Sequence, residues 1–216
     1  MEKKRLNRRD FVQKITGAAG VAVTGNMVRL DPAPLAAAAP RSTDVIAPSE
    51  PAKWKNLLSK PEYEVRTLID VKVQMRDGVR LSANVFLPTK EGRWPVVLER
   101  SPYGGKSSEW YVNRAMYYAK RGYVYVLQDV RGRFDSEGKW HPWDQEINDG
   151  RDSLDWCGTQ PWSTGKVGMV GMSYMGLVQW LAAPTGSPYL KAIIPHACAA
   201  DYFMYGMNYN GGAFMH

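Results

Sequence analysis

A serine between glycines is the residue in this sequence best placed to do chemistry. The apolar run Val167 to Val170 ends in Gly171, Ser173 follows, and the residues after it suit a helix. A strand, a sharp turn and a helix with serine at the apex would lift the hydroxyl above a sheet, where it could attack a carbonyl carbon. Because such a turn crowds the backbone, small residues must flank the serine, and Gly171 and Gly176 meet this need.

The pattern is G-x-S-x-x-G, because Met175 stands where the common form G-x-S-x-G has its second glycine. Glycines between a strand and a helix also occur in dinucleotide-binding folds, where an acidic residue about 20 positions further on holds the ribose. Here the following strand, Leu190 to Pro195, ends in His196 and offers no acid. The pattern therefore favours a nucleophile, with a glycine-rich turn of purely structural use as the alternative.

Length and composition fit one globular domain with a substantial core. The chain has 216 residues, of which 44% are hydrophobic, and it contains eight Trp and twelve Tyr. The net charge is +7, but residues 1–39 alone hold seven basic and three acidic side chains. Because the remaining +3 is spread without a basic run, we expect no nucleic-acid partner.

The first 39 residues have the character of a targeting signal. A basic start with the pair Arg8 and Arg9 leads to a mildly apolar stretch, Ile15 to Val28, and then to the small-residue run Ala36 to Ala39. The paired arginines resemble a bacterial twin-arginine signal, and the apolar stretch is too short for a membrane-spanning helix. We expect the export machinery to deliver the protein to the periplasm or the exterior; a disordered basic arm is the alternative.

The remaining chain predicts an α/β fold. Residues 40–62 are rich in proline and serine and predict a linker, after which two strands, Tyr63–Met75 and Val79–Leu87, form a hairpin around Arg76-Asp77-Gly78. Alternation predicts that Ile69, Val71, Val73 and Met75 share a buried face. Strands and helices then alternate, which predicts a sheet that is parallel after its first strands. The predicted order is strand Pro95–Leu98, a helix capped by Ser107 or Ser108, strand Tyr123–Leu127, helix Asp144–Trp156, strand Val167–Val170, helix Tyr174–Ala183 and strand Leu190–Pro195.

Three loops leave the carboxyl ends of these strands and should meet at one edge of the sheet, namely 103–105, 131–138 and the turn at Ser173. In the second loop Arg131, Asp135 and Glu137 could hold an ion, but a buried network of charges that orders the loop is the favoured interpretation. Cys157 and Cys198 fall at opposite edges of the predicted sheet, so both are expected to be free thiols.

Several motifs, taken in order, resemble the Xaa-Pro dipeptidyl-peptidase-like (cocaine esterase-like) serine hydrolases, a family of peptidases, esterases and acylases. The resemblance covers roughly residues 63–214. It rests on the hairpin Met75-Arg76-Asp77-Gly78-Val79-Arg80-Leu81, on Arg100-Ser101-Pro102-Tyr103-Gly104, on Asp129-Val130-Arg131-Gly132 with Ser136-Glu137-Gly138, on Trp162, and on Gly168 to Gly176. In this family G-x-S-Y-x-G is the normal form of the serine turn, which accounts for Met175.

The resemblance implies an α/β-hydrolase fold and assigns roles to three residues. Ser173 would be the nucleophile that forms an acyl-enzyme on a small-molecule ester or amide substrate. The oxyanion would be bound by the backbone N–H of Tyr174 and by the hydroxyl of Tyr103, each donor worth about 3 kcal/mol of the barrier. No cofactor and no metal are implied. His141 and His196 are expected to be structural histidines.

The resemblance also implies that residues 63–200 are the N-terminal part of the hydrolase domain and that 201–216 begin a helical cap. Tyr202 and Met207 would contact the substrate there, although an ordinary amphipathic helix also fits the segment. The family order is Ser, acid, His, and none of the 43 residues after Ser173 has the pattern of the strand and loop that deliver the last two. We therefore expect the chain to be the N-terminal third of a longer enzyme. The α-amino-ester members of this family bind the ammonium of their substrate with carboxylates at the start of the cap. Residues 205–214 contain no acid and Asp201 is the only one after Ser173, so the resemblance implies neutral or apolar acyl groups.

The signal assignment predicts that changing Arg8 and Arg9 to Lys leaves the precursor in the cytoplasm, whereas the unchanged protein is exported and starts near Pro40. Fractionation followed by N-terminal sequencing of the exported form measures both outcomes. Export that continues unchanged in the double variant would exclude a twin-arginine route.

Overall fold

The structure is a computed structural model that describes residues 57–200 and two short strands, 209–210 and 213–214. The predicted signal (1–39) and most of the predicted linker (40–62) lie outside the described residues, as do Tyr202 and Met207. Within the described part of the chain, no helix has the length and the apolar character needed to cross a membrane.

Strands and helices alternate after an N-terminal hairpin, as the sequence predicts. The strands are β1 (Val65–Gln74), β2 (Arg80–Pro88), β3 (Trp94–Ser101), β4 (Val124–Asp129), β5 (Ser163–Met172), β6 (Leu190–His196), β7 (Tyr209–Asn210) and β8 (Ala213–Phe214). The α-helices are α1 (Glu109–Ala119), α2 (Glu146–Thr159) and α3 (Tyr174–Ala182), and short 3₁₀ turns cover Gly105–Ser107 and Ala183–Thr185.

Six of the strands form one mixed sheet in the order β1-β2-β4-β3-β5-β6. β2 is antiparallel to both β1 and β4, whereas β3, β4, β5 and β6 run parallel to one another. The prediction of a sheet that is parallel after its first strands is confirmed. Because β3 and β5 are neighbours, the loops that follow them leave the same edge of the sheet side by side.

Helices cover both faces of the sheet. Successive side chains of a strand point to opposite faces, so each strand contributes to the core on both sides. On β3, Val96 and Leu98 belong to the cluster beneath α2 and α3, whereas Val97 belongs to the cluster beneath α1. The same alternation places Val126 on the first face and Leu127 on the second. The core therefore has two layers, one on each side of the sheet.

β3 is longer than the apolar run that predicts it. The sequence predicts a strand that ends at Leu98, but Glu99, Arg100 and Ser101 continue the ladder against β4 and are fully buried. Charged residues at the end of an apolar run usually mark the exit of a strand to solvent, and here they do not, because each finds a buried polar partner.

One expected core residue is exposed. Ile69 was predicted to share the buried face with Val71 and Val73, but 75% of its surface is accessible. The pairing of β1 with β2 slips between Leu68 and Val71, and Asp70 in this bulge has a φ of 56°. Because an irregularity of this kind breaks the alternation of faces, Ile69 falls out of phase with the strand that follows.

Gly150 does not interrupt α2, although it weakens the helical pattern in the sequence. The helix runs through it, and a Cβ at this position would lie 2.9 Å from the Cβ of Ala182. Glycine thus allows α2 and α3 to approach closely. The two thiols also behave as predicted, since Cys157 is buried, Cys198 is partly buried and neither forms a disulfide.

Part of the segment expected to be helical forms paired strands instead. Tyr209–Asn210 pairs antiparallel with Ala213–Phe214. The helical expectation is therefore wrong for residues 209–210 and 213–214. The assignment of 201–216 to a cap stays a prediction.

An ion pair at the β1–β2 turn generates a prediction about pH. The Arg131 guanidinium lies 2.8 Å from a carboxylate oxygen of Asp77 and holds the pKa of that carboxyl below its usual value. A carboxyl with a lowered folded pKa stabilises the fold above its unfolded pKa, near 3.9, and loses this contribution as the pH falls through the folded pKa. Asp77→Asn should lower the free energy of unfolding at pH 7 by at most about 1 kcal/mol, because Asp77 is half exposed and solvent screens the pair.

Urea unfolding at pH 7 and at pH 2.5 measures the difference, which should shrink at the lower pH. Asp144→Asn is the matched control, because among the described residues Asp144 is exposed and forms no ion pair. An equal difference at both pH values would contradict the assigned role of the Asp77 charge.

Candidate active site

Ser173 occupies the strained apex predicted from the sequence. Its φ of 60° and ψ of −122° are rare for a residue with a side chain, and such strain costs about 1–3 kcal/mol. The surrounding backbone holds the serine in place. Its N–H donates to the carbonyl of His196 at 2.9 Å, and its carbonyl accepts from the N–H groups of Gly176 and Leu177 at 2.9 and 3.0 Å.

The two flanking glycines are required by close contacts. Gly171 has a φ of 147°, and a Cβ there would lie 2.4 Å from the Cβ of Met175. A Cβ at Gly176 would lie 2.5 Å from the sulfur of Cys198 and 3.1 Å from the carbonyl oxygen of His196. The expectation that small residues must flank the serine is therefore confirmed in physical terms, and the backbone has the shape of a nucleophile elbow.

Tyr174 begins α3, so its backbone N–H is one of the groups that a helix leaves without an intrahelical partner. Its side chain points away from the apex, because its hydroxyl donates to a carboxylate oxygen of Glu146 at 2.9 Å. Burial, followed by the negative charge of Glu146, raises the pKa of Tyr174 well above its usual value. The hydroxyl therefore stays protonated and remains the donor to Glu146.

Tyr103 lies two residues beyond β3, in the loop beside the elbow. Its side chain is 53% exposed, and its backbone N–H donates to the hydroxyl of Ser101 at 3.1 Å. β3 and β5 are paired as far as Leu98 and Met169, and the loops with Tyr103 and Ser173 follow at the same edge. The sheet thus brings the two candidate residues to neighbouring positions.

The third loop also reaches this edge, as predicted. The Nε of Arg133 donates to the carbonyl of Pro102 at 3.0 Å, and the indole N–H of Trp140 lies 3.4 Å from the Tyr174 hydroxyl that accepts it. The loops after β3, β4 and β5 therefore touch one another through specific contacts, and the expected convergence is confirmed.

The comparisons with known proteins agree with this geometry. The family model for the X-Pro dipeptidyl-peptidase (S15 family) matches residues 77–216. The chain belongs to this family. Over 152 residues it is 40% identical to the cocaine esterase of Rhodococcus sp. (strain MB1 Bresler), which covers 67% of this chain and 26% of that protein.

Two solved structures of hydrolases are also similar to this chain. A CocE/NonD family hydrolase from Staphylococcus aureus is 31% identical, with a TM-score of 0.56 over 61% of this chain and 27% of its own. An α-amino acid ester hydrolase is 29% identical, also with a TM-score of 0.56, over 78% of this chain and 31% of its own. The fold is thus the α/β-hydrolase fold, and the chain spans about a quarter of the length of the cocaine esterase that it matches.

A buried charge network centred on Arg100, which the sequence did not predict, reaches the Tyr174 side chain beside Ser173 through Glu146. Arg100 is fully buried, with a guanidinium nitrogen 2.7 Å from a carboxylate oxygen of Glu146 and another 4.0 Å from Asp149. Asp149 also binds Arg131 at 2.6 Å. The three-residue spacing of Glu146 and Asp149, which places both on one face of α2, is the signal that could have revealed the network.

The network corrects one prediction. Arg131 is buried in a charge cluster as expected, but its partners are Asp149 and Asp77 rather than Asp135 and Glu137. Those two acids form separate ion pairs. Asp135 contacts Lys106 at 2.9 Å, and Glu137 contacts Arg80 at 2.6 Å. Among the described residues, no group of His, Cys, Asp and Glu side chains is arranged to hold a metal ion.

The histidines do not complete a catalytic pair in the described part of the fold. His141 and His196 are both exposed. His196 binds the elbow through its backbone carbonyl, and His141 donates its backbone N–H to Gln145 at 3.1 Å. Within residues 57–200, no side chain is hydrogen bonded to the Ser173 hydroxyl.

The crowding at the elbow predicts that Gly176→Ala lowers the free energy of unfolding by about 1–3 kcal/mol, because the methyl group must displace Cys198 and the backbone beside it. Gly168→Ala, in the strand β5 that leads to Ser173, is the control. A Cβ there would meet only the carbonyl oxygen of Ala192, at an ordinary 3.7 Å. Urea unfolding of both variants measures the contrast, and equal stabilities would contradict the close-packing argument.

Proposed function

We propose that this protein is a serine hydrolase that cleaves ester or amide bonds, acyl or Xaa-Pro peptidyl, through an acyl-enzyme on Ser173. The observation that carries the proposal is the strained conformation of Ser173. A non-glycine residue with a φ of 60°, held by three backbone hydrogen bonds between two obligatory glycines, has a costly conformation that is retained where the side chain has a use. Membership of the S15 family and similarity to an esterase support the same assignment.

The reaction begins when the Ser173 oxygen attacks the substrate carbonyl while a general base takes its proton. Negative charge collects on the former carbonyl oxygen, and two donors stabilise it there, the N–H of Tyr174 and the hydroxyl of Tyr103. Collapse of the tetrahedral intermediate expels the alcohol or amine, which receives the proton, and leaves the acyl group on Ser173. Water then attacks this ester by the same steps and releases the acid.

The base and its orienting acid are proposed to be a histidine and an aspartate beyond the residues of this chain, in the family order Ser, acid, His. The Ser173 hydroxyl has no side-chain partner within residues 57–200, which supports this part of the proposal. The same observation favours a second candidate, a non-catalytic protein that binds an acyl ligand without turning it over.

The substrate and the location of the protein are also proposals. Tyr202 and Met207 would line the acyl pocket, and the scarcity of acids after Ser173 favours neutral or apolar acyl groups. The paired arginines at positions 8 and 9 support export by a twin-arginine route, to the periplasm or the exterior.

In the enzyme expressed from the complete reading frame, Ser173→Ala should abolish turnover of an activated aryl ester and formation of an acyl-enzyme detectable by mass spectrometry. Tyr103→Phe should lower kcat about 10²–10³-fold with little change in KM, because one oxyanion donor is lost while substrate binding is retained. Tyr117→Phe removes the hydroxyl of another exposed tyrosine, on α1, and should leave kcat unchanged. Turnover that survives in Ser173→Ala would overturn the nucleophile.

An activity assay of the 216-residue chain alone tests whether the general base lies outside these residues. It should show no steady turnover, because an unassisted serine hydroxyl is a weak nucleophile at neutral pH. A burst followed by turnover that depends on Ser173 would show that the base lies within these residues. Binding of the ester by the complete protein without any turnover would favour the non-catalytic candidate.

A further inference from the structure

The loop that joins β4 to α2, residues 130–145, contacts Pro102 and Gly104 on either side of Tyr103, and it contacts the side-chain hydroxyl of Tyr174. We propose that Arg133 and Trp140 of this loop, together with Glu146 directly after it, are positioning residues that fix the Tyr103 hydroxyl and the Tyr174 N–H relative to each other. The inference rests on the proposed function and adds the contacts that fix the relative positions of its two oxyanion donors.

Tyr103 needs an external support. Its side chain is 53% exposed, so burial of the ring cannot fix its hydroxyl. The connecting loop instead holds the residues on either side of it. The Nε of Arg133 donates to the carbonyl of Pro102 at 3.0 Å. The ring of Phe134 lies so close to Gly104 that a Cβ there would be 2.5 Å from its Cζ atom.

Tyr174 is held through its side chain. Its hydroxyl donates to Glu146 at 2.9 Å and accepts from the indole N–H of Trp140 at 3.4 Å. Glu146 is itself immobilised, because it is 2% exposed and paired at 2.7 Å with the fully buried Arg100 of β3. The first turn of α3 is therefore tied to the strand that leads to Tyr103.

The two supports are joined within the connecting loop. The guanidinium carbon of Arg133 lies 4.9 Å from the centre of the Trp140 ring, a cation–π distance. The ends of the segment between them also meet, since a Cβ at Gly132 would lie 2.2 Å from the backbone nitrogen of Trp140. A displacement of either support is therefore transmitted to the other.

Such a device matters for the chemistry because oxyanion donors act only when they lie about 2.7–3.1 Å from the developing charge. A misplacement of about 1 Å can cost about 10²-fold in rate while the ground-state complex still forms. Loss of a support should therefore lower kcat and the affinity for a tetrahedral analogue, and leave KM nearly unchanged.

The test uses Tyr174→Phe and Arg133→Gln in the enzyme expressed from the complete reading frame. Tyr174→Phe keeps the backbone N–H and removes the hydroxyl, and with it the bonds to Glu146 and to the indole N–H of Trp140. Each variant should lower kcat for an aryl ester about 10–10²-fold, change KM less than about twofold, and weaken binding of phenylboronic acid in parallel with kcat/KM. Trp140→Phe, which replaces the indole by a smaller aromatic ring without an N–H, should act in the same direction and is available if Tyr174→Phe fails to fold.

Two control variants lose equivalent bonds elsewhere. Tyr125→Phe removes another hydrogen bond from a tyrosine to a buried glutamate, Glu99. Arg121→Gln removes an Nε bond of 2.9 Å to the carbonyl of Ser59 and a cation–π contact with Tyr117. Both should retain kcat and boronate affinity within about twofold, with unfolding midpoints recorded for every variant.

The outcomes separate the two proposals. Parent-like kcat and boronate affinity in Tyr174→Phe and Arg133→Gln would overturn the positioning role and leave the serine hydrolase intact. Losses no larger than those of Tyr125→Phe and Arg121→Gln would do the same. A parent enzyme without turnover dependent on Ser173 would overturn the proposed function and this inference with it.

Discussion

The buried ion pair between Arg100 and Glu146 is the interaction on which the candidate site depends. A fully buried guanidinium is tolerated only where charge and hydrogen bonds compensate its lost hydration. Here Glu146 lies 2.7 Å away and Gln128 accepts from the Nε at 2.8 Å. The three residues come from α2, β4 and β3, so the charges lock a helix to two strands. Removing one partner of such a pair typically costs about 3–5 kcal/mol, because the other charge remains buried.

From this pair the polar contacts spread to Tyr174 beside Ser173, to the loop after β4 and to the β1–β2 turn. Glu146 accepts from Tyr174 beside the elbow, and Asp149 of the same helix joins Arg100 to Arg131. Arg131 in turn reaches Asp77 in the β1–β2 turn. The chain of contacts gives the edge a rigidity that apolar packing alone would not supply, since directional bonds fix orientation as well as distance.

The sequence predicts the apolar half of the structure far better than the charged half. Val96 and Leu98 predict the buried face of β3, and the glycines around Ser173 predict the sharp turn, because few other conformations satisfy the steric requirements of these residues. Arg100 gives no such signal, since its burial depends on Glu146, which is 46 positions later. The exposure of Ile69 is equally hidden, because the bulge that displaces it follows from the pairing with β2 and not from its own pattern.

The apolar pattern of β3 and β4 stops at their carboxyl ends, which is where the loops of the candidate site follow. The middle of β3 and β4 is apolar, whereas Arg100 on β3 and Gln128 on β4 are polar and buried at the carboxyl ends. A sheet stabilised only by apolar packing would have apolar residues up to the last paired positions of its strands. Burying charges there is costly, and the compensation is a set of fixed bonds beneath the loops that carry Tyr103 and Ser173. The departure from the simple apolar pattern thus lies where the fold must fix the positions of the candidate residues Tyr103 and Ser173.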